Sequence, residues 1–138
     1  MKTIVLISCG KTKHHSRSRA SNLYRGDLFK KSLAYARSLE PDAIYILSAK
    51  HGLVGLDDEL DPYELTLTKM GIKERRAWAK GVCEQLSEHV DLTRDRLIFL
   101  AGDVYRKHLT PFVKTYSMPL EGLSFGRQLA WLGANSNV

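Results

Sequence analysis

The stretch "AIYILSAKHG", residues 43–52, joins a short apolar run to an abrupt polar ending. The run is followed by Lys50, His51 and Gly52. A continuous apolar run of this length, bounded by a turn residue, is typical of a strand buried on both faces of a parallel sheet. Ligands of such sheets bind beyond the carboxyl ends of the strands. The stretch therefore predicts an α/β fold with a polar site where this strand ends.

Two further runs have the same form: "TIVLIS" (3–8) before Cys9, and "RLIFLAG" (96–102) before Asp103. Apolar residues recur at helical spacing over 27–40 and about 72–90, and a final helix is expected after Ser124. The chain is therefore expected to be one α/β domain, residues 1–138, with a three- to four-stranded, mostly parallel sheet flanked by helices. "TYSMP" (115–119) is the expected edge strand, and segments 11–22 and 49–70 are expected to be irregular.

Composition narrows the class of protein. The chain has 138 residues, of which 43% are hydrophobic, enough for one core. It has no apolar stretch of membrane-spanning length, and its start lacks the features of a signal peptide, so we expect a cytoplasmic protein with no membrane partner. Cys9 and Cys83 have no disulfide or zinc spacing and are interpreted as reduced thiols. We expect no metal and no cofactor. The acidic run 57–64 lacks the EF-hand pattern and is interpreted as a lid or solvated loop.

The net charge of +6 is concentrated in one segment. The segment from Lys11 to Arg37 contains many basic residues and a single acid, Asp27. Asp27 is a candidate helix N-cap. Such a segment suits a polyanionic partner, DNA or a nucleotide phosphate; a solvated basic face is the alternative. The candidates for contacts with the nucleic-acid backbone are Lys13, Arg17, Arg19 and Arg25.

Parallel strands bring their carboxyl ends to one edge of a sheet, so we expect the three polar corners to form one site. The candidate catalytic residues are Asp103, His51 and Lys11. Asp103 is either a catalytic carboxylate or a helix N-cap, and His51 either transfers a proton or is structural. "GKT" (10–12) lacks the earlier glycine of a P-loop, since Val5 stands there, so a P-loop is excluded.

The candidate substrate-binding residues lie at the same corners or nearby. Cys9 is a possible nucleophile, but a residue that fills the strand end is the simpler interpretation. The tyrosines either stack on a base or pack at the rim of the core. Trp78 and Trp131 are expected in the core. The full set is Cys9, Gly10, Thr12, Lys13, Tyr24, Arg25, Ser48, Lys50, Gly52, Tyr63 and Tyr105.

Five motifs together resemble small uncharacterised bacterial and phage proteins related to the peroxide-stress YaaA family: "LISCGKTK", "LYRGDLF", "LSAKHGLVGLDDELDPYELTL", "FLAGDVYRKHL" and "PLEGLSFGRQLAWL". The resemblance covers nearly the whole chain, as a reduced core of that family. It places Lys11, Thr12, Tyr24, Gly26, Gly52, Pro62, Tyr63, Asp103 and Tyr105 on recurring positions. His51 stands where that family tends to have Tyr, and the family does not require Cys9. The resemblance implies DNA binding, protection from oxidative damage and a fold comparable with DNA glycosylases.

These observations favour an enzyme that cleaves the N-glycosidic bond of a modified base in DNA. In that hypothesis Asp103 stabilises the sugar cation or orients water, while Lys11, Lys50 or His51 stabilises the departing base. Tyr63 stacks on a flipped base, and segment 13–25 holds phosphates. A non-catalytic DNA-binding protein and a nucleotide-level hydrolase or transferase remain as alternatives.

Overall fold

A computed structural model describes residues 1–9, 16–63 and 65–136 of the chain. The strands are β1 (Thr3–Ser8), β2 (Ser18–Arg19), β3 (Ala43–Ser48), β4 (Gly52–Gly55), β5 (Glu59–Leu60), β6 (Arg96–Leu100) and β7 (Thr115–Ser117). The α-helices are α1 (Ala20–Leu23), α2 (Asp27–Ser38), α3 (Ile72–Ser87), α4 (Asp103–Arg106) and α5 (Phe125–Asn135). Short 3-10 turns lie at Leu67–Lys69 and Thr110–Phe112.

The main sheet has five strands in the order β4-β3-β1-β6-β7. β1 is central and runs parallel to β3 and β6, and β7 runs parallel to β6. The predicted α/β class and mostly parallel sheet are therefore confirmed, as is the edge strand β7. The fifth strand, β4, is antiparallel to β3 and lies in a segment for which the sequence predicts irregular structure.

The core has two parts, one on each face of the sheet. On one face, β1 side chains such as Val5 and Ile7 pack against α2 and α5. On the other face, Ile4 and Leu6 pack against α3. The apolar runs of β1, β3 and β6 are explained by this double burial, because each alternate side chain meets a helix layer. Among the described residues, no helix is long and apolar enough to cross a membrane.

Several helix predictions need correction. Asp27 and Asp103 are not N-caps: they are the first residues of α2 and α4, and Gly26 and Gly102 occupy the cap positions without a side-chain bond. An acid at the first helical position still interacts favourably with the helix dipole. Ser124 is confirmed as a cap, since its hydroxyl accepts from the Arg127 N–H at 3.4 Å.

The two tryptophans and the second cysteine also refine the sequence interpretation. Trp78 and Trp131 are only half-buried, at the edges of the two core clusters. Cys83 is buried in α3, and burial raises the pKa of its thiol to about 11. The thiol of Cys83 is therefore protonated at neutral pH and packs as a small apolar side chain.

Strand β4 depends on a turn and a side-chain clamp. Gly52 has a φ of 72°, a left-handed conformation that reverses the chain directly after β3. The Leu53 N–H donates to Gln85 Oε1 at 2.9 Å, and Gln85 Nε2 donates to the Leu53 carbonyl at 3.4 Å. A Cβ at position 52 would collide with the Gln85 side-chain oxygen. The clamp therefore requires glycine at the turn.

We predict that Gly52→Ala lowers the free energy of unfolding by about 2 kcal/mol or more, since it adds left-handed strain and displaces Gln85. Gly81→Ala is the matched control, because Gly81 lies inside α3 and an added Cβ there would point into open space. That control is expected to raise stability by about 0.5–1 kcal/mol through helix propensity. Urea unfolding measures both changes. Equal stability of Gly52→Ala and wild type would contradict the clamp.

Candidate functional site

The carboxyl ends of β1, β3 and β6 lie side by side at one edge of the sheet, because these strands are adjacent and parallel. Cys9 continues the ladder beyond β1 by donating its N–H to the Leu47 carbonyl at 3.1 Å. Ser48 ends β3, and α4 begins three residues after β6. The predicted meeting of three distant corners at one edge therefore holds for the described parts of those corners.

A chain of buried hydroxyls runs along this edge. The Tyr63 hydroxyl lies 2.6 Å from the Tyr24 hydroxyl and 2.6 Å from Ser48 Oγ. Ser48 Oγ also accepts from the His51 backbone N–H at 3.1 Å. Tyr24, Ser48 and Tyr63 are all buried. These hydrogen bonds therefore join the end of α1, the end of β3 and the segment after β5. We call the three residues Tyr24, Ser48 and Tyr63 the hydroxyl cluster.

A second group lies beside the hydroxyl cluster. The Tyr105 hydroxyl is 3.4 Å from Cys9 Sγ, and the Tyr105 ring meets Trp78 edge-on with centroids 5.8 Å apart. The Trp78 indole N–H donates to the Ser48 carbonyl at 2.8 Å. Ser48 thus contacts both groups, one through its hydroxyl and the other through its backbone. Cys9 and Tyr105 are half-buried, so they form part of the rim.

The pKa shifts describe a site of neutral hydrogen-bonding groups. Burial, chiefly, raises the pKa of Tyr24 to about 12 and raises those of Tyr63 and Tyr105 well above the usual range. Burial and the neighbouring Lys50 ammonium lower the pKa of His51. At neutral pH the phenols therefore keep their protons and His51 is mostly a neutral imidazole, able to donate from one ring nitrogen and accept at the other.

Lys50 and His51 form the exposed side of the site. The His51 ring meets Tyr63 edge-on with centroids 5.3 Å apart, and Lys50 Nζ lies 5.9 Å from the Tyr63 ring centroid. Both residues are exposed, whereas the ring they contact is buried. A ligand at this edge would meet an ammonium group and an imidazole before it reached the hydroxyl cluster.

Other predicted residues are exposed and pair with charged side chains that are not part of the hydroxyl cluster. Asp103 has a side chain that is 74% exposed, and its carboxylate lies 3.9 Å from the Arg106 guanidinium. Arg17 pairs with Asp61 at 3.2 Å, and Arg19 lies 4.0 Å from Asp57. The basic segment and the acidic run are therefore neighbours, joined also by the β2–β5 pairing. The acidic run is anchored at β5.

Four predicted site residues, Gly10, Lys11, Thr12 and Lys13, lie outside the described residues. Arg25 is exposed, and Gly52 forms the turn into β4 rather than lining the cluster. Trp78 was missed as a site residue because its helical spacing indicates core packing. Its indole N–H was the available signal, since a largely buried tryptophan usually needs a hydrogen-bond acceptor. Among the described His, Cys, Asp and Glu residues, no group of three is placed to hold a metal ion.

A family described as "Family of unknown function (DUF6884)" matches residues 4–134, almost the entire chain. No curated protein matches the sequence.

We predict that Tyr63→Phe lowers the free energy of unfolding by about 1–3 kcal/mol, because it removes a hydroxyl bonded to Tyr24 and Ser48. Tyr116→Phe is the control, since Tyr116 is 41% exposed and lies on the edge strand β7. The control should leave stability within about 0.5 kcal/mol of wild type. Chemical denaturation measures both variants, and equal effects would mean that the hydroxyl cluster adds no stability.

Alkaline pH should weaken the fold through the same groups. Tyr24 has a raised pKa of about 12 when folded, against an ordinary value of 10.0. Its contribution is full below pH 10 and is lost as the pH rises toward 12, because the unfolded chain releases the proton first. We expect the free energy of unfolding to fall over this range, and to fall less steeply in Tyr24→Phe. Parallel pH profiles of the two proteins would contradict this assignment.

Proposed function

We propose that this chain, which belongs to the DUF6884 family, is an enzyme that acts on a nucleobase and cleaves the N-glycosidic bond of a modified base in DNA. The observation that supports it best is the hydroxyl cluster at the carboxyl edge of β1 and β3, with Lys50 and His51 on its exposed side. This position is where ligands bind in parallel sheets. The resemblance of the motifs to YaaA-type proteins is in keeping with a base-directed activity.

The rim of the site suits a planar, polar ligand. Tyr105 and His51 offer aromatic surfaces, and Cys9 lies between the strand end and the Tyr105 hydroxyl. The edge of a nucleobase carries both donors and acceptors, and a neutral imidazole can satisfy either kind. A base taken out of a stack would therefore exchange stacking and pairing in DNA for contacts with these groups. The buried hydroxyls behind the rim hold the rim in place.

The reaction needs a group on each side of the bond that breaks. When the C1′–N bond breaks, its electron pair moves to the base nitrogen, and positive charge develops on the sugar. The Lys50 ammonium would stabilise the negative charge on the base and supply its proton, with His51 as a hydrogen-bond donor. The Asp103 carboxylate would stabilise the sugar cation and accept the proton of the water whose oxygen bonds to C1′.

Asp103 is accessible for this role. It lies on the first turn of α4, two residues before Tyr105, and its side chain is largely exposed. Its ion pair with Arg106 is long, at 3.9 Å, and Arg106 is held by the Ala101 carbonyl at 3.1 Å. The carboxylate is thus free to turn toward a bound sugar while Arg106 stays fixed.

The phosphates of the substrate would contact Arg17, Arg19 and Arg25, which are all exposed. Asp61 and Asp57 compete with phosphate for the first two of these. This partial neutralisation favours a second candidate, a nucleotide-level hydrolase or transferase, because a single nucleotide needs fewer free cations than a duplex does. A non-catalytic DNA-binding protein is the third candidate, and an assay of base release separates it from an enzyme.

We expect the protein to release a base from at least one member of a panel of damaged or hypermodified oligonucleotides, detected by mass spectrometry. Asp103→Asn should lower the release rate by about 10²-fold or more while binding persists. Glu88→Gln is the control substitution of a carboxylate, since Glu88 is exposed and directly follows the last residue of α3. Binding without release by wild type across the panel would favour the non-catalytic protein, and release from free nucleotides alone would favour the second candidate.

Paired substitutions test the phosphate contacts. Arg17→Ala with Arg19→Ala should lower the slope of log affinity for duplex DNA against log salt by up to about 2. Asp57→Asn with Asp61→Asn should act in the opposite direction and tighten binding, because it removes the carboxylates that compete with phosphate. Fluorescence anisotropy at several salt concentrations measures both pairs. Unchanged slopes in both would mean that the segment does not contact phosphate.

A further inference from the structure

A groove lies between α3 and the segment that follows α4, away from the hydroxyl cluster. It encloses about 510 Å³ and is lined by Arg76, Ala79, Lys80, His108, Pro111 and Phe112. Its apolar wall is formed by Ala79, Pro111 and Phe112. Phe112 is 57% exposed. A volume of this size accommodates a small organic ligand or one unit of a polymer. We refer to it as the α3 groove.

The charge of the α3 groove has one sign. Arg76 and Lys80 are separated by one helical turn and are both exposed, and His108 lies on the opposite wall. None of the six residues that line the groove is acidic. Lys73 extends the row of cations by one more turn, while Glu84 lies one turn beyond Lys80. The groove is therefore complementary to an anion that carries an apolar, planar part.

Helix α3 connects the groove to the strand-end site, by which we mean the hydroxyl cluster with Cys9, Lys50, His51 and Tyr105. Trp78, which lies between Arg76 and Lys80 on α3, donates its indole N–H to the Ser48 carbonyl. Trp78 also contacts Tyr105 on α4, three residues before His108. This first half of α3 is thus fixed to the carboxyl edge of the sheet, which holds the groove in a defined position relative to the strand-end site.

We propose that the α3 groove binds one nucleotide of the same single-stranded nucleic acid whose base enters the strand-end site. Phe112 stacks on the base, while Arg76 and Lys80 hold the two phosphates on either side of that nucleotide. A single strand is required, because in a duplex the faces of each base are covered by stacking on its neighbours. The proposal rests on the proposed function for its choice of partner, but it does not require the strand-end site to be catalytic.

The experiment measures binding of a fluorescein-labelled single strand of about 12 nucleotides, long enough to cover one binding site, by anisotropy over a series of NaCl concentrations. Arg76→Ala with Lys80→Ala should weaken binding about tenfold or more at low salt and lower the salt slope by about 1.4, the value for two phosphates of a single strand. Phe112→Ala should weaken binding about fivefold or more with no change in slope. Arg94→Ala with Arg127→Ala is the control, since it removes the same charge from two exposed positions that lie outside both the groove and the basic segment.

Equal losses in the control and in Arg76→Ala with Lys80→Ala would overturn the proposal, because net charge alone would explain them. Wild-type affinity in Phe112→Ala, or displacement of the strand by a poly-glutamate peptide of equal charge, would also overturn it. The outcome is separable from that of the proposed function. Weakened binding by both groove variants with no base release supports the groove and removes the enzyme. Base release by the wild type, together with unaltered binding by the groove variants, supports the enzyme and rejects the groove.

Discussion

The buried position of Ser48 is the constraint on which the carboxyl edge of the sheet depends. Its side chain and backbone are enclosed at the end of β3, so each polar atom there needs a partner within the protein. The hydroxyl meets Tyr63 and the His51 N–H, and the carbonyl meets the Trp78 indole. These bonds tie α3 and the segment after β5 to the strand that ends between them. An alanine at this position would remove the hydroxyl that bonds both Tyr63 and the His51 N–H.

This arrangement links the fold to the candidate site. The turn at Gly52 and the Gln85 clamp hold the chain that leaves Ser48, so Lys50 and His51 are presented at the edge and not carried away from it. Burial of the hydroxyls keeps them protonated, which makes them rigid supports instead of bases. In the proposed reaction, proton transfer is therefore assigned to the groups on the exposed side, and the buried hydroxyls support the segment that carries Lys50 and His51.

The sequence predicted the fold well where burial on both faces imposed continuous apolar runs, as in "TIVLIS" and "RLIFLAG". It predicted that Cys9, Ser48 and Tyr105 would share one edge, because parallel strands leave little choice. It did not predict β4, since "GLVG" is too short and glycine-rich to have strand character without the Gln85 clamp. The assignment of Asp27 and Asp103 as N-caps is wrong for a related reason. The glycine before each of them is extended and begins the helix without a side-chain bond.

Tertiary contacts also changed the interpretation of charge. Along the chain, the basic segment and the acidic run are separate features, but the β2–β5 pairing brings Arg17 beside Asp61. The cations of α3 do not stand out in the sequence, because on a helix they resemble an ordinary solvated face. Only the groove beside Phe112 gives them a defined neighbour. Charge patterns along the chain therefore do not show which charged side chains lie together in the fold.

The central claim is that the strand ends around Ser48 form a site for a nucleobase. The most direct measurement is an NMR titration of the ¹⁵N-labelled protein with a short single-stranded oligonucleotide, which follows every backbone amide. We predict that Cys9, Lys50, His51 and Tyr105 are among the most strongly shifted residues. The claim would be contradicted if the oligonucleotide shifted only amides elsewhere on the protein and left these four unchanged. It would also be contradicted if the oligonucleotide shifted no amide at all.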